Sequence, residues 1–305
     1  MSHDEVKHDY HLVEPSPWPL IGSFAVILMA VGLVTFTKGL VPMPEAGAES
    51  GSIWFSLFGK GHPWLLLSGF GLIFYVFAAW WRDVTIESHE GHHTPVVSIA
   101  MRYGMVMFIA SEVMFFVAWF WGFFEFTIFH PARTGATWDA TNPIYADGLA
   151  RFKDWPPVGV ETFNPFHLPL MNTIILLLSG TTVTWAHHAL QQNDRTGARN
   201  GLILTILLGM LFTALQVIEY AEAGFSYDGT IYGSAFFMAT GFHGVHVVIG
   251  TIFLAVCLFR LMGGGFTPKQ HFGLEAAAWY WHFVDVVWLF LFAFVYVAPH
   301  LLLGH

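Results

Sequence analysis

The chain has 305 residues, of which 55% are hydrophobic, 17% aromatic and 11% charged, whereas about a quarter of residues are charged in soluble proteins. A formal net charge of -9 and twelve scattered Lys and Arg exclude a nucleic-acid surface, which needs clustered cations. One cysteine, Cys257, excludes a disulfide framework.

The apolar residues come in runs of roughly 20, the length that crosses a hydrocarbon core, so lipid is the expected solvent. Residues 1–17 form a polar, histidine-rich tail without the basic stretch and cleavage site of a signal peptide. This tail is expected to be retained on the cytoplasmic side. Seven apolar windows follow, predicting transmembrane helices at 18–37, 61–81, 103–129, 168–186, 201–220, 231–259 and 276–298. The first two helices fill 18–81, a cytoplasmic connector fills 82–102, and the other five lie within 103–305. The sixth window is uncharged over 29 residues, 231–259, and would extend ~43 Å as a helix, so it should tilt or project from the bilayer.

Breakers mark the connectors: Pro42 and Pro44, then 91–95, 191–200 and 263–268. The one long connector, 130–167, carries five prolines and no clear periodicity. It reads as a periplasmic surface loop or a set of short helices rather than a domain. No internal repeat is visible, which counts against an inverted-repeat transporter. Lys7, Arg82, Arg102, Arg195, Arg199, Arg260 and Lys269 fall on the side of the N-terminus, and the remaining five cations, including Arg133, Arg151 and Lys153, fall on the other. Positive residues favour the cytoplasmic side. The N-terminus is therefore expected inside and His305 on the periplasmic face of a bacterial membrane, or the equivalent outer face in a mitochondrion.

Ionisable groups inside the windows need explaining, because a charge at bilayer depth costs several kcal/mol unless paired or protonated. Glu112 lies ten residues beyond Arg102, hence ~15 Å into a core of about 30 Å. It is either a protonatable or lipid-contacting carboxyl or a structural one satisfied by a neighbouring helix. Glu125 lies about 220° around the same helix and ~20 Å away, so a paired-acid catalytic site is excluded. Glu125 is expected at the outer interface.

His243, His246 and His282 invite a metal or haem reading. Their expected depths of ~24, ~20 and about 10 Å prevent them from sharing one ion. Asp285 matches the depth of His246, and Glu219 that of His243. Structural acid–histidine hydrogen bonds between spans are therefore expected in place of ligation. His187 and His188 end the fourth window, and His89, His92 and His93 occupy the first cytoplasmic connector, where solvated or phosphate-facing roles compete with a surface metal. The aromatics Phe115, Phe116, Trp119, Trp121, Trp279 and Trp281 read as packing and interface anchors rather than an electron path. No catalytic nucleophile constellation or phosphate-binding glycine loop is found; 263–265 has no strand before it.

Particular strings carry a family resemblance. YHLVEPSPWPL in the first window, WWRDV and GHHTP after the second, RYGMVMFIASEVMFF, SGTTVTWAHHAL, ATGFHGVHVVIG and EAAAWYWHFVDVVWLFLF resemble the cytochrome c oxidase subunit III family between Tyr10 and Tyr296. The long loop and the tails are not covered. The first two spans favour the cytochrome c branch over quinol-oxidase relatives, which have fewer spans. The resemblance implies an all-α fold in which a two-helix and a five-helix bundle form a V whose cleft holds phospholipids. Headgroups would be met by Trp81, Glu87, His93, Ser111 and Arg260, with Glu112 beneath. Arg82 and Arg102 would strengthen that site, or serve as ordinary positive-inside flanks. Ile86 and Gly263 stand where mitochondrial members carry a basic residue, so the headgroup grip would differ.

By the same resemblance Glu112 would be mostly neutral and would lie near subunit I or the cleft. The chain would be a non-redox accessory subunit of an aa3-type oxidase, which oxidises cytochrome c, reduces oxygen to water and pumps protons. It would bind subunit I directly, with subunit II in the same complex and haem and copper in those partners. It would support proton uptake by subunit I and protect the active site during turnover, in a bacterial inner membrane. Membership of a respiratory supercomplex is left open. An independent transporter should show broken helices, and a haem-binding membrane enzyme should show His pairs at equal depth.

Overall fold

A computed structural model of the chain describes residues 15–40, 53–136, 155–157, 160–227 and 231–302. Most of the N-terminal tail, the middle of the long loop and the C-terminal tail, including His305, lie outside the described residues.

The described residues are helical, with no strand among them: α1 Trp18–Lys38, α2 Ile53–Phe58, α3 Trp64–His89, α4 Pro95–Ala136, α5 Leu168–Gln191, α6 Arg195–Ala221, α7 Ile231–Met262 and α8 Phe272–Leu291. A π-helical turn, Phe292–Val297, joins α8 to the short α9, Ala298–Leu302. Seven stretches are long and apolar enough to cross a membrane: α1, α3, Pro95–Phe129 of α4, α5, α6, α7 and Phe272–Leu301. All seven coincide with the windows expected from sequence. Their ends differ, most of all around 82–102. There α3 runs on to His89 and α4 starts at Pro95, so most of the expected connector is helical. Polar residues end an apolar window without ending a helix. What ends α3 is the left-handed turn at Gly91, φ 88°, and Pro95 then suits a first helical position.

The chain divides into two compact units, Met1–Met101 and Arg102–His305. In the first, α1 and α3 approach closely, because a side chain at Gly32 would strike the backbone of Leu65 and Leu66, and one at Gly69 that of Met29. The Trp18 indole donates to Asp83 Oδ2 at 2.6 Å, tying the start of α1 to the last turns of α3.

The second unit is organised around α8. The Trp281 indole is fully buried and donates to Ser179 Oγ on α5 at 2.8 Å. A Cβ at Gly209 on α6 or Gly250 on α7 would fall within 3.0 Å of its ring, so two glycines admit one indole. Two turns further along the same face, Trp288 donates to Thr173 Oγ1 on α5 at 2.8 Å. Short links hold the neighbours in register. Asp194 caps α6 by accepting from the Gly197 N–H at 2.9 Å, and Arg195 donates to the Leu261 carbonyl in the last turn of α7 and to the Phe266 carbonyl just past its end.

The distribution of polarity is inverted relative to a soluble protein. Asn172, Gln216, Glu219, Thr240, His243 and Asp285 are buried, while Met107 and Phe259 are each 72% exposed. With lipid as solvent, apolar groups face outward and the polar groups must be satisfied inside.

Candidate functional site

The polar groups of the second unit define the candidate site. On α4, Phe108, Glu112, Phe115, Phe116 and Trp119 recur at helical spacing, and their rings meet Phe242 of α7 and Tyr280 and Phe283 of α8. That packing points Glu112 at α7, where its Oε2 lies 2.8 Å from His246 Nε2. The other ring nitrogen, Nδ1, donates to the Phe242 carbonyl one turn back at 2.6 Å. A carbonyl only accepts, so Nδ1 carries a hydrogen, and the Glu112–His246 contact then shares one further proton. The two side chains are 24% and 10% exposed, and Phe115, Phe116, Tyr280 and Phe283 surround the imidazole. Chemically this is a desolvated acid–base pair able to hold or pass a single proton.

The remaining intramembrane polar groups are absorbed into packing. His243 is buried, donates through Nε2 to the Val284 carbonyl at 3.2 Å, and sits against Phe212 and Trp288. Glu219 Oε1 accepts from Tyr296 Oη at 2.6 Å and Gln216 Nε2 at 3.1 Å. Gln216 Oε1 in turn accepts from Asn172 Nδ2 at 3.3 Å. Asp285 Oδ2 lies 3.5 Å from His282 Nδ1, and His282 Nε2 is 3.0 Å from Thr184 Oγ1.

These contacts correct the pairs expected from depth. His246 meets Glu112 and not Asp285; Glu219 meets Tyr296 and Gln216 and not His243. Depth along a helix fixes height only, and the azimuth of each side chain selects the neighbour: His246 faces α4, while Glu219 faces the π-helical turn. Tyr296, Gln216, Asn172 and Thr184 had no prior signal, being ordinary residues of apolar windows.

Of the residues expected at lipid headgroups, Trp81, Arg82, Glu87 and His93 belong to the first unit. Trp81 is 66% exposed and stacked on Phe77 at 5.4 Å; Arg82 is exposed, and Glu87 and His93 are half-buried. Arg102, Ser111, Glu112 and Arg260 belong to the second unit. Arg102 closes a bidentate pair with Glu275, with three contacts between 2.9 and 3.2 Å, so much of its fork is already engaged. Arg260 is half-buried, its guanidinium 4.6 Å from the Phe266 ring centre. The Ser111 hydroxyl donates to the Phe108 carbonyl at 2.6 Å. Glu112 stands ~15 Å from Arg102 along α4, and His246 ~21 Å from Arg260 along α7. Within this unit Arg102 and Arg260 are thus separate from the Glu112–His246 pair, while Ser111 adjoins it in sequence. Among the described residues no group of three or more His, Cys, Asp or Glu is placed to hold a metal ion.

An all-helical, multi-pass membrane protein with a hydrogen-bonded polar interior is the class that this fold and site define. A family profile described as Cytochrome c oxidase subunit III matches residues 8–299. Cytochrome c oxidase subunit 3 of Struthio camelus is 46% identical over 290 residues, covering 95% of this chain and 97% of that one. The proteins of that name from Danio rerio and Marchantia polymorpha are each 47% identical, with 95% of this chain covered and 97% and 96% of theirs. The chain belongs to the cytochrome c oxidase subunit III family. It is accordingly part of an oxidoreductase complex of the respiratory chain, assembled with other oxidase subunits in a membrane.

Proposed function

We propose that the chain is a non-redox accessory subunit of an aa3-type oxidase. In this reading it binds subunit I directly, with subunit II in the same complex, while haem and copper reside in those partners. It binds phospholipid, supports proton uptake by subunit I and protects the active site from inactivation during turnover. The observation that carries this reading is the Glu112–His246 contact of 2.8 Å. It is an acid–base pair set among aromatic rings and able to hold a single proton, which suits proton handling.

Phospholipid binding draws on further groups, with Glu112 beneath them. Trp81 and Arg82 at one end of α3, with Glu87 and His93 beyond them, offer an interfacial indole and charges suited to a zwitterionic or anionic headgroup. Arg260, with Arg102 and Ser111, offers a second set. We place the N-terminus in the cytoplasm of a bacterium, on the bias of Lys and Arg between the two sides.

Removing the chain from the purified complex tests the role. The initial rate of oxygen reduction should persist while activity decays faster during turnover; complete loss of the initial rate with haem retained would contradict it. An Arg260→Leu complex should carry less phospholipid by mass spectrometry, and an unchanged lipid count would contradict the headgroup assignment.

A further inference from the structure

Asn172 on α5, Gln216 and Glu219 on α6, and Tyr296 on the π-helical turn form a sealed polar cluster, none of them more than 5% exposed. Its hydrogens can be traced in full. The Phe212 carbonyl only accepts, so the Asn172 atom 3.3 Å from it is the amide nitrogen, which fixes how that side chain is turned. Asn172 Nδ2 gives its second hydrogen to Gln216 Oε1 at 3.3 Å. The Gln216 nitrogen therefore faces the other way, donating to Glu219 Oε1 at 3.1 Å and to Tyr296 Oη at 3.2 Å. Tyr296 in turn gives its hydroxyl hydrogen to Glu219 Oε1 at 2.6 Å. Every amide and hydroxyl hydrogen of the cluster is then engaged, yet Glu219 Oε2 and Asn172 Oδ1 are buried without a hydrogen-bond partner among the described residues.

Two lone acceptors in one sealed cluster call for a positive centre between the helices. Left ionised, Glu219 would be an uncompensated charge, because no Lys, Arg or His among the described residues forms an ion pair with it. It also stands in the last turn of α6, where the free carbonyls already carry partial negative charge. Burying an unpaired carboxylate there is strongly unfavourable. A hard cation takes about six oxygens or more, and the cluster leaves open only Glu219 Oε2 and Asn172 Oδ1. A proton needs no such shell.

We propose that Glu219 is a proton-binding site: in the folded protein it is a neutral carboxylic acid, with the proton on Oε2 and with Oε1 as the carbonyl oxygen addressed by Gln216 and Tyr296. The bound proton supplies the one donor the cluster lacks, and Asn172 Oδ1 is the acceptor left open for it. It thereby completes a clasp joining α5, α6 and the π-helical turn.

Infrared absorption of the purified complex near neutral pH tests this. Subtracting the spectrum of a Glu219→Gln complex from that of the parent should leave the C=O stretch of a carboxylic acid. In Tyr296→Phe that band should move to higher frequency, because its carbonyl oxygen loses a donor; this variant decides the matter even where Glu219→Gln fails to assemble. Loss of carboxylate stretching bands in place of the acid band, as an ionised or cation-bound Glu219 would give, would overturn the proposal. An acid band that stays put in Tyr296→Phe would do so too.

Discussion

His243 and His246 are three residues apart on α7 yet live in different surroundings. His243 is sealed between Phe212 and Trp288 with a backbone carbonyl for a partner, whereas His246 faces the carboxyl of Glu112 across an interface that keeps some exposure. Replacing Glu112 by Leu leaves His246 Nε2 desolvated without a partner and should cost about 1–3 kcal/mol. Glu112→Gln, whose amide still reaches the ring, should cost much less. Thermal unfolding in detergent measures both, and equal losses for the two variants would argue against the pair. Sequence made these polar residues conspicuous because any ionisable group stands out in an apolar window. Their partners were not legible, since depth can be counted along a chain while the azimuth of Tyr296 or Thr184 depends on how helices rotate against one another.

At the scale of the helices, α8 is held by hydrogen bonds from Trp281 and Trp288 to α5 and by the space that Gly209 and Gly250 leave. Trp281→Ala would open a cavity where α5, α6 and α7 meet α8 and should cost about 3–5 kcal/mol, read as a lower melting temperature. The link between α5 and α6 depends on a cap instead. Asp194→Ala should cost about 1 kcal/mol, a smaller shift in the same assay. A larger loss at Asp194 than at Trp281 would reverse the ordering proposed for these elements. Sequence located the seven spans because each needs about 20 apolar residues. It misplaced the ends of α3 and α4 because a helix stops at a glycine turn or a proline, and polar residues such as Arg82 and Glu87 continue it into water. The π-helical turn at Phe292–Val297 had no sequence signal, lying inside an unbroken apolar run.

For the molecule as a whole, the physical theme is an exchange of solvent. Lipid takes the place of water outside, and side-chain hydrogen bonds take the place of water inside, so carboxylates and imidazoles find partners within the helix bundle. The strings around Glu112, His246 and His282 named the family correctly from sequence, and the division after Met101 into a two-span and a five-span unit agrees with the expected bundles. The 46% exposure of the His282 side chain was not legible, because it is a property of the assembled helices. The most direct test is purification through a tag on this chain from gently solubilised membranes, followed by subunit mass spectrometry and visible spectroscopy. Other oxidase subunits and their haem absorption should co-elute, and the haem and copper should stay with those subunits when this chain is stripped away. A chain that elutes alone, or that carries the haem off with it, would contradict the account.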